Sequence, residues 1–370
     1  VIQVSESQQT KLYAGELSDL EKVMKYLRQR FNGVTFMGYK LQNSTPVFGE
    51  IHSLSDMPIK VSDIQRPGYY ELVAGYRFRL SYASPKWYLL PPEHSLLKVS
   101  PNYEVADVVD NSTPSRVVLF GIKPCDLSAI AVLDAILTSK HPVYTKRRSG
   151  VLAVIVEECL EPAETCFCSI TGTGPTVLRG YDLAYARLDE NTIIFKPGSV
   201  LGEEIAKTVG LKDAVQEQVE AYCSAVDRAV NIMAMRLPRL EVIQRDLEKS
   251  MRNEKLWRTL SEKCTGCGNC NYVCPTCFCV EIVDSVEESN TVRTAIWTAC
   301  RAYTYGLVAG GHFRRDLYMR YRHFVLHKFL FYPKQTGGLI GCVGCGRCTT
   351  WCPLGLDLKE TLLRVVKEVE

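Results

Sequence analysis

The sequence predicts an α/β domain over residues 1–239 followed by an α-helical domain over residues 240–370. Three observations carry that division. Short apolar, β-branched runs alternate with helical segments up to about residue 200, which argues for a layered α/β domain. Pro238 breaks a helical stretch, and a charged, amphipathic segment follows it. Beyond Cys264 the β-type alternation fades and cysteines crowd together: eleven of the sixteen lie between Cys264 and Cys352. A chain of 370 residues is long enough for two domains with buried cores.

In chain order, Leu17 to Phe31 has apolar residues at helical spacing, with an acidic start and a basic end that suit the helix macrodipole. Proline-rich turns follow near Pro67 and Pro91. Val117 to Ile122 reads as a buried strand, and Leu127 to Leu137 as the helix after it. Val151 to Glu157 and Thr192 to Lys196 read as further strands. Glu203 to Met235 reads as one helix with Cys223 in its core face, and Leu240 to Ser261 as another.

Composition narrows the class of protein. Hydrophobic residues at 46% and charged residues at 23% exclude disorder on a large scale. A net charge of +3 does not by itself argue for nucleic acid or a membrane surface. No run of 18 apolar residues is present, so no membrane span is expected. Residues 1–7 lack a basic region and an apolar region, so no secretory leader is expected. Dense cysteines without a leader read as metal ligands in a reducing, cytoplasmic compartment, not as a disulfide scaffold.

Two motifs carry the chemistry. Cys264, Cys267, Cys270 and Cys274-Pro275 repeat the spacing of Cys342, Cys345, Cys348 and Cys352-Pro353. Both read C-x2-C-x2-C-x3-C-P, the run of bacterial two-cluster ferredoxins. Three thiolates on a tight loop reach three irons of one cubane, while the fourth lies too far along the chain and ligates the other. Cys264, Cys267, Cys270 and Cys352 are therefore expected on one [4Fe-4S] cluster. Cys342, Cys345, Cys348 and Cys274 are expected on the second. Gly266 and Gly344 let the loops curl and free N–H groups for the sulfurs. Zinc ribbons use CxxC pairs but not this run twice. Cys342 stands 68 positions after Cys274, and the segment between the motifs reads as helical, which favours an α-helical ferredoxin-type domain.

Other cysteines extend the pattern. Cys125 and Cys159 follow predicted strands, at the sheet edge where α/β folds bind ligands. With Cys166 and Cys168 they are candidates for a third iron–sulfur cluster, with Asp126 as an alternative ligand; buried free thiols are the competing reading. Cys277, Cys279 and Cys300 are thiols packed near a cluster, or a further metal or redox group with His312 as a candidate fourth ligand. The stretch from His312 to Lys334 carries six Lys and Arg against Asp316, with aromatics interleaved. It reads as a solvated helix face or a partner-docking helix, with nucleic acid not expected. No G-x-G-x-x-G, Walker motif or Ser/His/Asp arrangement stands out, so no catalytic residue is assigned.

The ordered series Phe120 to Leu127 (FGIKPCDL), Cys159, Cys166-Phe-Cys168, Tyr181-Asp-Leu183, Cys264 to Cys279, Trp297 to Cys300, Ala309 to His312 and Cys342 to Pro353 resembles the β subunits of cytoplasmic sulfhydrogenases, the NADP-linked [NiFe] hydrogenases. The iron–sulfur relay subunit of anaerobic sulfite reductases is similar. The resemblance covers about residues 115 to 355. It implies an electron-transfer subunit in a hetero-oligomer, standing between a flavin subunit that handles NAD(P)H and a subunit with the terminal site. That site is [NiFe], on hydrogenase small and large subunits, in one case and siroheme in the other. The resemblance also supports a cluster in the N-terminal domain. A subunit that reduces sulfur or polysulfide itself, through Cys277, Cys279 and Cys300, is the alternative from a different class.

Overall fold

The computed structural model describes residues 11–107, 116–287 and 289–369. The N-terminal residues read above for a leader lie outside them.

An eight-stranded mixed sheet forms the N-terminal half. Its centre is parallel: Thr35–Gln42, Val117–Ile122, Val151–Glu157 and Leu183–Arg187 lie side by side in that order. Thr45–Ile51 closes one edge antiparallel to Thr35–Gln42. Thr192–Pro197, Tyr13–Glu16 and Lys212–Asp213 continue the other, also antiparallel. Every residue of Val117–Ile122 is buried, because helices cover both faces. Val118 and Phe120 pack toward Asp19–Arg30 and Val200–Val209. Val117 and Leu119 pack toward Pro124–Leu137 and Pro142–Ser149.

The second half is built on another core. Leu240–Ser250, Glu254–Ser261, Leu317–Leu326 and Leu358–Val369 enclose Trp257, Tyr321, Phe324 and Leu362. A π-helical turn, His327–Phe331, continues Leu317–Leu326.

Three expectations are corrected. The segment between the cysteine motifs is not wholly helical: Val280–Glu287 and Asn290–Trp297 form a hairpin. Its valines, isoleucines and threonines favour a pleated surface, and it joins Glu93–Val99 and Val105–Asp107 in a four-stranded antiparallel sheet. Glu203 to Met235 is two helices, Val200–Val209 and Gln216–Ala234, with the chain turning at Gly210 between them. Cys223 is helical but exposed, not in the core. The expected division near residue 240 falls between two helices, and the four-stranded sheet crosses it.

Candidate metal centres

The first motif is a loop running into the short helix Asn269–Tyr272. Gly266 takes a left-handed φ of 74°, a conformation other residues adopt at a cost. The turn brings its N–H to 3.4 Å from Cys264 Sγ. Cys264, Cys267 and Cys270 line one cavity, and so does Cys352 from the second motif. Cys352 Sγ accepts from the Leu356 N–H at 3.4 Å. Arg301 donates to Cys264 Sγ at 3.1 Å while its guanidinium lies over the rings of Tyr321 and Phe324. Cys267 is exposed, so this cavity adjoins the surface.

The second motif is deeper. Cys342 and Cys345 are buried and Cys348 half-buried. Gly344, at φ 58°, presses so closely on the N-terminal half that a Cβ there would stand 2.6 Å from the Phe167 carbonyl carbon and 2.7 Å from Cys168 Cα. Cys274, buried and from the first motif, is near enough to Cys342, Cys345 and Cys348 for their charges to interact. Lys328, on the π-helical turn, reaches Cys274 Sγ at 3.2 Å, Thr276 Oγ1 at 3.0 Å and the Gly341 carbonyl at 3.3 Å. Burial opposes its charge, yet the sulfurs of Cys274, Cys277 and Cys342 hold its pKa well above that of an ordinary lysine. Lys86 enters from the N-terminal half, donates to the carbonyls of Tyr272 and Cys277, and lies over Trp297; burial pulls its pKa down to about 8.

Cys125, Cys159, Cys166 and Cys168 line a further cavity together with Arg79 and Cys345. Cys125 opens the helix after Val117–Ile122, and Cys159 follows Val151–Glu157, so both stand at the C-terminal edge of parallel strands. Cys166 Sγ approaches the Cys345 carbonyl at 3.6 Å. Asp126 does not join these thiols. Its carboxylate faces Arg347, at 2.9 Å, and the Tyr39 hydroxyl, inside a fully buried pair. The helix start turns Cys125 and Asp126 to different sides.

Cys277 and Cys300 both accept from the amide of buried Asn271, at 3.5 and 3.1 Å. His312 binds the Tyr303 carbonyl and the Arg314 N–H instead of these thiols. The stretch from His312 to Lys334 is not a uniformly solvated face: Arg320 and Lys328 are buried. Arg320 binds the carbonyls of Arg301, Arg314 and Arg315. Arg301, Lys86, Lys328, Asn271 and Arg347 were not read from the sequence as site residues. Only Arg301 and Arg347 carry a local signal, a cation beside or inside a cysteine motif.

The donor set fits iron–sulfur clusters. Burial pushes the thiols of Cys270, Cys342 and Cys166 up to about 12 and that of Cys159 to about 11. Such thiols ionise when a metal takes them. Among the described residues neither Arg301 nor Lys328 pairs with a carboxylate. Buried cations need an anion, and thiolates on a cluster supply one. Among the described residues no three His, Cys, Asp or Glu side chains gather as for a single metal ion. Thiols spread around a cavity suit a polynuclear group.

Fold and site together define an iron–sulfur electron-transfer protein. Residues 263–356 match the family of 4Fe-4S dicluster domains. The chain is 29% identical over 326 residues to sulfhydrogenase 2 subunit beta of Pyrococcus furiosus, an alignment covering 86% of this chain and 89% of that one. It is similar to that sulfhydrogenase β subunit, as the ordered motifs imply, and the alignment takes in much of the N-terminal half as well. No helix among the described residues is long and apolar enough to cross a membrane.

Proposed function

We propose that this chain is the electron relay of a multi-subunit cytoplasmic oxidoreductase, passing electrons between a flavin subunit that binds NAD(P)H and the small and large subunits of a [NiFe] hydrogenase. Cys264, Cys267, Cys270 and Cys352 hold one [4Fe-4S] cluster; Cys342, Cys345, Cys348 and Cys274 hold the other. Cys125, Cys159, Cys166 and Cys168 hold a third. Each cluster supplies reversible one-electron chemistry when bound.

The observation that carries this reading is that neighbouring thiol groups share walls. Cys348 lines the cavity of the first motif, and Cys345 lines that of the N-terminal cysteines. The middle group therefore has a neighbour on either side, as a relay needs. The residues divide the work. Arg301, Lys328 and the N–H groups of Gly266 and Leu356 donate toward sulfur. The buried walls keep water from the interior groups, and exposed Cys267 opens one end to a partner.

Anaerobic native purification, with mass spectrometry of every chain that stays bound, tests the partners. Hydrogenase and flavin chains support the proposal; a siroheme chain assigns the relay to sulfite reduction. Iron counting tests the third cluster: Cys159→Ser should lose about one cluster's iron and leave the dicluster EPR signals in place. A second reading has the chain reduce sulfur or polysulfide itself, and the shared Asn271 amide between Cys277 and Cys300 favours it. Turnover of polysulfide by the lone chain with an artificial donor would support that reading against the relay.

A further inference from the structure

Lys328 is a buried charge that, among the described residues, meets sulfur and no carboxylate. It lies on the π-helical turn His327–Phe331 and is 6% exposed. Such turns recur at functional sites because they shift a side chain out of helical register. Its three polar neighbours are a thiol, a hydroxyl and a carbonyl: Cys274 Sγ, Thr276 Oγ1 and the Gly341 oxygen. Thr276 Oγ1 in turn lies 3.2 Å from Cys274 Sγ and donates to the Gly341 carbonyl at 2.7 Å. The ammonium is thus fixed directly at one sulfur of the second thiol group. Net charge and hydrogen bonds to sulfur are two of the protein's main controls over cluster potential.

We infer that Lys328 is a potential-setting residue: its fixed positive charge favours the reduced state of the cluster held by Cys274, Cys342, Cys345 and Cys348, making that middle station easier to reduce. The inference rests on the ligand assignment proposed above. Taking up one electron adds one negative charge to the cluster, and a cation at hydrogen-bond distance from its ligand stabilises that added charge in a water-poor interior. The position also explains why Lys328, in a basic stretch, turns inward. A hydrogen bond from an uncharged donor supplies part of the effect; the charge supplies the rest.

The test is an anaerobic redox titration of the full chain followed by EPR, comparing wild type, Lys328→Gln, Lys328→Arg and Cys274→Ser. Cys274→Ser identifies the signal of the cluster in question by altering or removing it. Lys328→Gln keeps a hydrogen-bond donor without the charge. It should lower the midpoint potential of that one cluster, with the reduced-to-oxidised ratio at a fixed poise falling about tenfold, equivalent to 59 mV for one electron. Lys328→Arg should restore it, and the other signals should not move. A purely structural lysine would change cluster content or melting temperature and leave the potential of the remaining cluster where it was. An unchanged midpoint in Lys328→Gln, with the Cys274→Ser signal identified, overturns the role of the lysine. A Cys274→Ser protein with every signal intact overturns the ligand assignment, and the inference with it. If Lys328→Gln does not assemble, Lys328→Met, apolar and uncharged at similar length, takes its place: a lowered midpoint for that cluster supports the charge, and an unchanged one rejects it.

Discussion

The two cysteine motifs have the same spacing and opposite surroundings. The first curls at the surface, with Cys267 exposed and Gly266 in a loop that leaves some room. The second is pressed into the N-terminal half, with Gly344 against Phe167 and Cys168 and Arg347 locked to Asp126. Spacing decides which sulfurs can reach one cluster. Surroundings decide whether that cluster meets a partner or only its neighbours. In the proposed relay the repeat is one chemical unit used for two tasks: an outer station and an inner one.

The comparison breaks most readily at its buried pair. Arg347→Met leaves Asp126 as an unpaired carboxylate in the interior, since both side chains are fully buried. It should cost about 3–5 kcal/mol, measured by anaerobic chemical denaturation. The equivalent position of the first motif is Asn269, which donates to the Trp351 carbonyl and makes no ion pair, and a cost below about 1 kcal/mol would show that the second motif is not anchored by this pair.

Equivalent glycines sharpen the contrast. Gly344→Ala combines a left-handed backbone with a collision against backbone atoms at 2.6–2.7 Å. It should cost about 1–2 kcal/mol for the conformation and about 1–3 more for overpacking. Gly266→Ala has the same backbone penalty, but its nearest atoms are Leu317 Cδ1 at 3.2 Å and the Arg301 carbonyl at 3.3 Å. It should cost about 1–2 kcal/mol in all. Equal melting points for the two variants would contradict the difference in packing.

The crossed ligands proposed above would limit how separate the two stations are. Cys352→Ser, although in the second motif, should damage the first-motif cluster more, because Cys352 lines that cavity. Cluster-resolved EPR with the reverse outcome rejects the crossing. The smallest effect concerns access. Under limited oxidant or chelator, the signal bounded by exposed Cys267 should decay before the interior ones. Simultaneous decay would mean that burial does not separate them.

Much of the site was legible because it is local. The repeated motif names eight thiols without any fold, and the buried strands ending at Cys125 and Cys159 foretell a sheet edge. The failures are non-local. Asp126 looks like a ligand beside Cys125 until Arg347 claims it from far along the chain. Lys328 belongs to a basic stretch whose composition suggests solvent, and only a turn of π-helix aims it at Cys274, 54 residues away. The hairpin at Val280–Glu287 and Asn290–Trp297 was hidden by the helices expected around the motifs, although its β-branched residues carried the signal.

The pair made by Arg347 also bears on how the protein is born. Arg347 donates to the Tyr39 hydroxyl across 308 residues of chain. Domains emerge from the ribosome N-terminal end first, so Tyr39 and Asp126 are synthesised long before the guanidinium that completes them. Until then the Asp126 carboxylate lacks the guanidinium that is its ion-pair partner among the described residues. Shortened chains that stop before the second motif should therefore be poor folders and good substrates for proteolysis, which makes completion of the translation product a checkpoint on a protein that must receive iron.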